Sequence, residues 1–172
     1  MADLTNDAEV EASMVAIVHV DDSGTDPVRT ALALTTKDDL SIPIEEENED
    51  FTPSAERRTR RIRTSNTIDI EVSTAMAPDL EALELVGIVD SNGKLTSDSS
   101  ARELGADMYI EVAYFADEPD FSTVSIPGDT ELTHRAGGVE IANPEIDPSA
   151  TPTMASFTAW VEGDFWVNYS TA

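Results

Sequence analysis

The residues that could do chemistry in this chain are few and widely spaced. His19 and His134 are its two histidines, and neither lies at metal-ligand spacing from a second ligand residue. Residues 90–94 (DSNGK) resemble a fragment of a calcium-binding loop, but a lysine takes the place of an oxygen ligand, which favours a plain turn. The chain has no cysteine and no glycine-rich phosphate-binding motif such as GxxxxGK(S/T) or GxGxxG. We therefore predict no catalytic residue, no bound metal, no cofactor and no enzymatic activity.

Charge is the main feature of the composition. Thirty-five acidic residues stand against ten basic ones, of which only Lys37 and Lys94 are lysines, and the formal net charge is -25. Self-repulsion of this size destabilises a compact chain unless ions screen it, and at 1 M salt the Debye length falls to about 3 Å. The composition thus predicts adaptation to concentrated salt, with a mildly acidic protein of an ordinary cytoplasm as the alternative. Duplex nucleic acid is disfavoured as an affinity partner because phosphate binding needs clustered cations.

Alternating and β-branched stretches predict mostly β-strands. Residues 14–20 and 29–36, separated by the turn residues DDSGTDP, predict a hairpin, and residues 108–115 predict another strand. Residues 78–87 (PDLEALELVG) predict the one substantial helix, since proline suits the first helical position and acidic residues favour a helix N-terminus. The remaining predicted elements are short strands at 123–126, 131–135 and 139–142, a helical turn at 99–104, and a closing strand at 155–169 with a bulge or tight turn at 163–164.

About eight strands and one helix predict an all-β fold, a β-sandwich or barrel with one flanking α-helix, in a single domain spanning residues 1–172. The first thirteen residues carry acids and no base, unlike the basic start of a signal peptide. The longest apolar stretch, 14–20, is too short to span a bilayer. We expect no cleaved export signal and no membrane partner.

One predicted strand is unusually long. From residue 57 to residue 72, apolar side chains at even positions (Ile62, Ile68, Ile70, Val72) alternate with polar ones at odd positions, among them Arg61, Arg63, Asp69 and Glu71. Sixteen residues extend roughly 50 Å at about 3.3 Å each, about three times the usual strand. A strand of this length indicates an extended structure such as a barrel wall or a sheet between subunits.

The charge reverses abruptly just before this strand. Residues 41–55 are predicted to form a protruding loop without a packed element, and five acids lie within it: Glu45, Glu46, Glu47, Glu49 and Asp50. Five of the eight arginines follow immediately: Arg57, Arg58, Arg60, Arg61 and Arg63. Either the two segments neutralise each other within one chain, or they meet across different copies. A contact between two different patches is head-to-tail and generates rings or open stacks.

The order of these elements resembles the major tail tube protein of long-tailed viruses, in particular those that infect haloarchaea. The resemblance lies in the acidic segment 41–55, the long strand RRTRRIRTSNTIDIEVS, the helix PDLEALELVG and the closing strand FTAWVEGDFWVNY. It covers most of the chain and is one of layout rather than of a diagnostic motif. It implies a β-sandwich flanked by a helix that assembles as rings of six, in which each subunit lends long strands to a continuous barrel. The resemblance also implies a long loop that reaches the adjacent ring, and stacked rings that form the tube through which the genome leaves.

The resemblance implies a protein of the virion tail, assembled in the host cytoplasm. Its partners would be its own copies, other tail proteins and viral DNA that passes without specific binding. Asp69 and Glu71 are expected to face the lumen, where repelled phosphates form no ion contacts, and the arginines are expected at the rim or ring interface. The alternatives are another virion assembly protein with a related β-sandwich (a tail terminator, connector or capsid-decorating protein) or a haloarchaeal soluble β-domain that binds a small molecule or a partner.

Overall fold

The fold is seen in a computed structural model that describes residues 14–52, 60–76, 80–85, 87–96, 102–147 and 154–169. These residues form ten strands, all in one antiparallel sheet, with one short α-helix, α1 (Leu80–Leu85), and a 3-10 helix at Lys37–Asp39. The strands are β1 (Met14–Asp21), β2 (Val28–Thr35), β3 (Leu40–Ser41), β4 (Ile44–Phe51), β5 (Arg60–Met76), β6 (Met108–Phe115), β7 (Leu132–Gly137), β8 (Val139–Asp147), β9 (Met154–Val161) and β10 (Phe165–Trp166).

The sheet has the order β10-β7-β6-β1-β2-β5-β9-β8, with β3 and β4 paired to β5 outside this path. β2 and β5 share a single register pair, Leu34 with Met76, so the sheet divides there into two halves. The all-β prediction with one helix is confirmed. The sheet stays open, so the barrel alternative does not hold for the single chain.

The main core lies between the two halves of the sheet. One cluster joins buried side chains of β1 and β6 to those of β5, β8 and β9, and α1 adds Ala82 and Leu83. Its members include Val15, Ile17, Ile110 and Val112 from one half and Ile70, Val72, Val139, Ile141, Phe157 and Ala159 from the other. Burying this apolar face on both sides is what holds the halves together.

A second cluster covers the opposite face of β1 and β6. Val18, Val20 and Phe115 pack there against Ile126 and Val124 from the segment that follows β6. β1 is therefore buried on both faces, which explains why its sequence, MVAIVHVD, is nearly continuous in apolar residues instead of alternating.

Most predicted elements are confirmed, and the corrections have local causes. The hairpin of β1 and β2 forms as expected, and β6 matches its predicted bounds, 108–115. The predicted strand at 123–126 is wrong: this segment lies in turns, and Ile126 is buried as an irregular residue. Of the predicted helical turn at 99–104, residues 99–101 lie outside the described part of the chain, and among the rest only residue 102 is helical.

Helix α1 covers residues 80–85 of the predicted 78–87, and residues 78, 79 and 86 lie outside the described part of the chain. Gly87 has a φ of 69°. A positive φ is favourable for glycine and is common just beyond a helix C-terminus. The closing strand is divided into β9 and β10 by a turn at 162–164, as the glycine at 163 indicated. The chain thereby crosses from β9 in one half of the sheet to β7 in the other.

The prediction of an irregular loop at 41–55 is wrong over residues 44–51. These residues form β4, which pairs with β5 along its whole length. The acidic run tolerates a strand because its carboxylates are exposed to solvent and none of the residues opposite it on β5 is acidic, with Arg61 opposite Asp50. The long strand itself is confirmed: β5 has 17 residues, and residues 53–59 before it lie outside the described part of the chain.

Candidate functional site

The candidate site begins with a two-stranded arm formed by β4 and residues 60–67 of β5. Ile44 lies opposite Ile68 at its base, and Phe51 lies opposite Arg60 at its far end. β5 pairs with β9 only from Ile68 onward, so in the described part of the chain residues 60–67 have β4 on one side and no strand on the other. The outer edge of β4 likewise has no described partner strand. Eight residues make the arm about 26 Å long at 3.3 Å per residue.

The arm brings the acidic and arginine-rich segments together within one chain. All five acids at 45–50 lie on β4, and Arg60, Arg61 and Arg63 lie on β5. Arg61 Nε donates to Asp50 Oδ1 at 3.1 Å, with the two side chains 71% and 57% exposed. An ion pair this exposed contributes less than about 1 kcal/mol. At this pair, the acidic and arginine-rich segments neutralise each other within one chain. Arg57 and Arg58 lie outside the described residues.

A bulge in β5 changes which face its side chains occupy. Glu47 lies opposite Ser65 and Asn48 opposite Arg63, so Thr64 has no counterpart on β4. An extra residue resets the alternation of the strand that carries it. The same effect occurs further along β5, where the register against β9 shifts between Val72 and Ala75. Before this shift the even-numbered Ile70 and Val72 are buried, and after it the odd-numbered Ala75 is buried.

The bulge separates Arg61 from the acids that follow it. Arg61 lies opposite Asp50, and Ile68 lies opposite Ile44. Asp50 and Ile44 share one face of β4, so Arg61 lies on the same face of the arm as Ile68, which packs against the core. The prediction that Arg61 and Arg63 share a face with Asp69 and Glu71 is therefore wrong. No feature of the strand's own sequence marks the extra residue.

The opposite face of β5 is acidic. Ile70 and Val72 point into the core, while Glu71 is exposed and Asp69 half-exposed on the other side. Asp69 lies opposite Trp160 of β9, and Trp160 lies opposite Glu140 of β8, which forms a row across three strands. Trp160 is 42% exposed. Among the described residues, neither Asp69 nor Glu140 makes an ion pair. The alternation of side chains along the closing strand could have identified Trp160 as a surface residue, since it places this ring on the face opposite Phe157 and Ala159.

A groove of about 270 Å³ continues this acidic face beyond Glu71. It lies where β5 and β8 each carry an extra residue beside β9. Ser73 Oγ lies 3.2 Å from Asp39 Oδ1 within it. Its polar lining includes three carboxylates and no cationic side chain: Asp38, Asp39, Ser41, Glu71, Ser73, Asn143, Ser156 and Thr158.

The buried polar groups lie elsewhere, around β6 and β7. Glu111 is fully buried and accepts from Arg29 Nε at 3.0 Å and Nη2 at 3.4 Å. Arg135 lies 3.8 Å from the centroid of the Tyr109 ring and donates to Asp22 Oδ2 at 3.0 Å. These contacts join the strands of one half of the sheet and stabilise the fold.

Both histidines are buried. Burial lowers the pKa of His19, an effect that the nearby Asp21 partly offsets, and burial also lowers the pKa of His134. His134 Nδ1 accepts the Asn168 N–H at 3.2 Å, whereas His19 Nε2 has no hydrogen-bond partner in the described structure. No group of three or more potential metal-binding side chains occurs among the described residues. No helix in the described ranges is long and apolar enough to cross a membrane.

Comparison with known proteins gave one structural similarity to report. No protein family model matches the chain, and no curated protein matches its sequence. The chain is similar to a chain in the cryo-EM structure of the anti-feeding prophage (AFP) baseplate, 6-fold symmetrised, with a TM-score of 0.44 and 9% sequence identity. That alignment covers 89% of this chain and 91% of the baseplate chain.

Proposed function

We propose that this chain is a structural subunit of a virus tail, which polymerises as stacked hexameric rings into a tail tube. The negatively charged channel of the tube conducts the viral DNA during ejection into a halophilic host. The protein is then part of the virion, and its partners are its own copies, other tail proteins and DNA in transit.

The observation that carries the proposal is the arm, which extends beyond the sheet with both outer edges unpaired in the described chain. A lone two-stranded hairpin is marginally stable in water, because half of its backbone groups have no strand partner. Unpaired strand edges are templates for strand addition from another chain. Pairing with other copies would complete the arm and build a continuous sheet around a ring.

The charges of the arm favour head-to-tail pairing. Pairing β4 with β4 of another copy would oppose five carboxylates with five, and pairing β5 with β5 would bring arginines together. Like charges directly opposite each other are destabilising, whereas β4 against β5 places acids against arginines. A contact between two different edges is heterologous, and it closes into a ring when the rotation permits.

The acidic face supports a channel wall. We propose that Asp69 and Glu71, which lie on the face away from the core, face the lumen. Phosphates repelled from this wall cannot form the ion contacts that hold a duplex. The bulge at Thr64 supports this assignment because it turns Arg61 to the opposite face.

Light scattering after size-exclusion chromatography in multimolar KCl, followed by negative-stain electron microscopy, tests the proposal. We expect rings or tubes from the native chain. A variant with Arg60, Arg61 and Arg63 changed to Glu should remain monomeric with an unchanged circular dichroism spectrum, whereas Lys94→Glu, an exposed charge reversal in a turn, should assemble normally. A monomer at every concentration and salt level would refute the proposal. Rings that never stack would point to a terminator or connector instead.

A further inference from the structure

We propose that the row formed by Asp69, Trp160 and Glu140 is a docking site for an arginine of the arm of a second copy. This inference rests on the proposed function, and it gives the arm a second contact: besides pairing with other copies around a ring, the arm is received by a subunit of the next ring. The three residues lie opposite one another on β5, β9 and β8, so their Cβ atoms are about 4.5–5.5 Å apart from strand to strand.

The chemistry of the row matches a guanidinium group. Trp160 presents a large ring that is 42% exposed, between two carboxylates that have no ion-pair partner in the described structure. Indole is the aromatic surface to which a cation binds best, and arginine adds planar stacking and paired hydrogen bonds to carboxylate. In concentrated salt, long-range attraction is screened, so stacking and direct contact decide the affinity.

The chain already uses this combination internally. The Arg135 guanidinium carbon lies 3.8 Å from the centroid of the Tyr109 ring and 4.7 Å from that of Tyr169, and Nη2 donates to Asp22 at 3.0 Å. An aromatic ring and a carboxylate therefore hold an arginine in this fold. The row around Trp160 offers a similar set of groups without a described cation.

An arm arginine that binds the row must come from another copy. Five of the eight arginines lie at residues 57–63, and Arg61 is eight residues before Asp69 on the same strand, about 26 Å away at 3.3 Å per residue. The ladder with β4 holds the arm extended, so it cannot fold back onto the row. Within the acidic face, the row lies at the end nearest the arm, and we place this end at the rim of the proposed channel. Arginine docking there would link one ring to the next.

A binding experiment tests the site directly. In a Trp166→Phe background Trp160 is the one remaining tryptophan, so its fluorescence reports on the row. Titration of the unassembled protein in 2 M KCl with a peptide of residues 56–64 should give a saturable change. The Kd should rise at least tenfold in an Asp69→Asn/Glu140→Gln variant, and also when the five peptide arginines are replaced by lysine. No fluorescence change, or equal affinity for the lysine peptide, would overturn the proposal.

An assembly experiment separates this inference from the proposed function. Trp160→Ala should raise the protein concentration needed for stacking at least tenfold while circular dichroism stays unchanged. Leu95→Ala removes an apolar side chain that is 64% exposed in an isolated bridge with Val89, and it should leave that concentration unchanged. Normal stacking of Trp160→Ala would overturn the docking site and leave the tail-tube function standing. Peptide binding at Trp160 in a protein that never assembles would instead refute the tail-tube function.

Discussion

Removing Arg29 should be among the most costly single changes in this protein, because it leaves the buried carboxylate of Glu111 without its partner. Glu111 is 0% exposed and accepts two hydrogen bonds from the Arg29 guanidinium, at 3.0 and 3.4 Å. Arg135 lies opposite Glu111 in the β6–β7 ladder, but Asp22 and Tyr169 hold its guanidinium. These two hydrogen bonds, made by Nη1 and Nη2, oppose a movement of Arg135 toward Glu111, although its Nε has no hydrogen-bond partner.

The expected magnitude follows from the burial of the pair. Removing one partner of a buried ion pair costs about 3–5 kcal/mol, and because the Arg29 side chain is 20% exposed we expect the lower end, about 3 kcal/mol, for Arg29→Met. For a chain of this length, each kcal/mol corresponds to about 2–4 °C in Tm, so the Tm should fall by about 6–12 °C. The double variant Arg29→Met/Glu111→Leu should recover to within about 1 kcal/mol of the native chain, since an apolar pair leaves no buried charge.

Urea unfolding followed by circular dichroism in KCl, below the concentration at which the protein assembles, measures these differences. Arg61→Met is the matched control, since it breaks an ion pair with both members exposed and should cost less than about 1 kcal/mol. A loss of under about 1 kcal/mol for Arg29→Met would refute the reasoning. So would a double variant as unstable as the single one.

Two more predictions concern contacts that β7 makes with residues 162–169, one through His134 and one through Gly137. Burial holds the pKa of His134 below 6.5, and neutral Nδ1 accepts the Asn168 N–H. The histidine's stabilising contribution is therefore complete above about pH 6.5 and lost as pH falls through its folded-state pKa. Between pH 7 and 5 the free energy of unfolding in urea should thus fall more in the native chain than in His134→Asn, and parallel profiles would contradict this. Gly163→Ala should cost about 1–3 kcal/mol, because an added Cβ would lie 2.5 Å from the Gly137 carbonyl oxygen, whereas Gly24→Ala should leave the Tm unchanged. Equal melting temperatures would show that the close approach at Gly163 does not constrain the fold.

The sequence was most informative about features that depend on neighbouring residues. The two-residue period of β5, its length, and the buried runs of β1 and β6 all follow from which side chains alternate along one strand. The acid-to-arginine reversal at residues 45–63 was equally plain. These features depend on neighbours in the chain, so no partner strand was needed to find them.

The alternation of side chains along one strand could not predict which strands pair or in which register. The acidic segment was predicted to be a loop because propensity disfavours a run of carboxylates in a strand, yet it forms β4, which pairs with β5 and places Asp50 opposite Arg61. The prediction of the face on which Arg61 lies was wrong because Thr64 has no counterpart on β4. A single unpaired residue moves every side chain beyond it to the other face of the strand. The row of Asp69, Trp160 and Glu140 joins residues up to 91 positions apart through two registers.

The sequence by itself determined an acidic, all-β chain with one long strand and a sharp change of sign beside it. Only the tertiary structure decided that the acidic and arginine-rich segments pair into an arm whose two outer edges have no described partner strand. It also decided that Trp160 lies between two carboxylates on the acidic face. The physical reason is that alternation along a strand tells which residues share a face, whereas hydrogen-bond register decides which strand lies opposite and where a bulge reverses the faces.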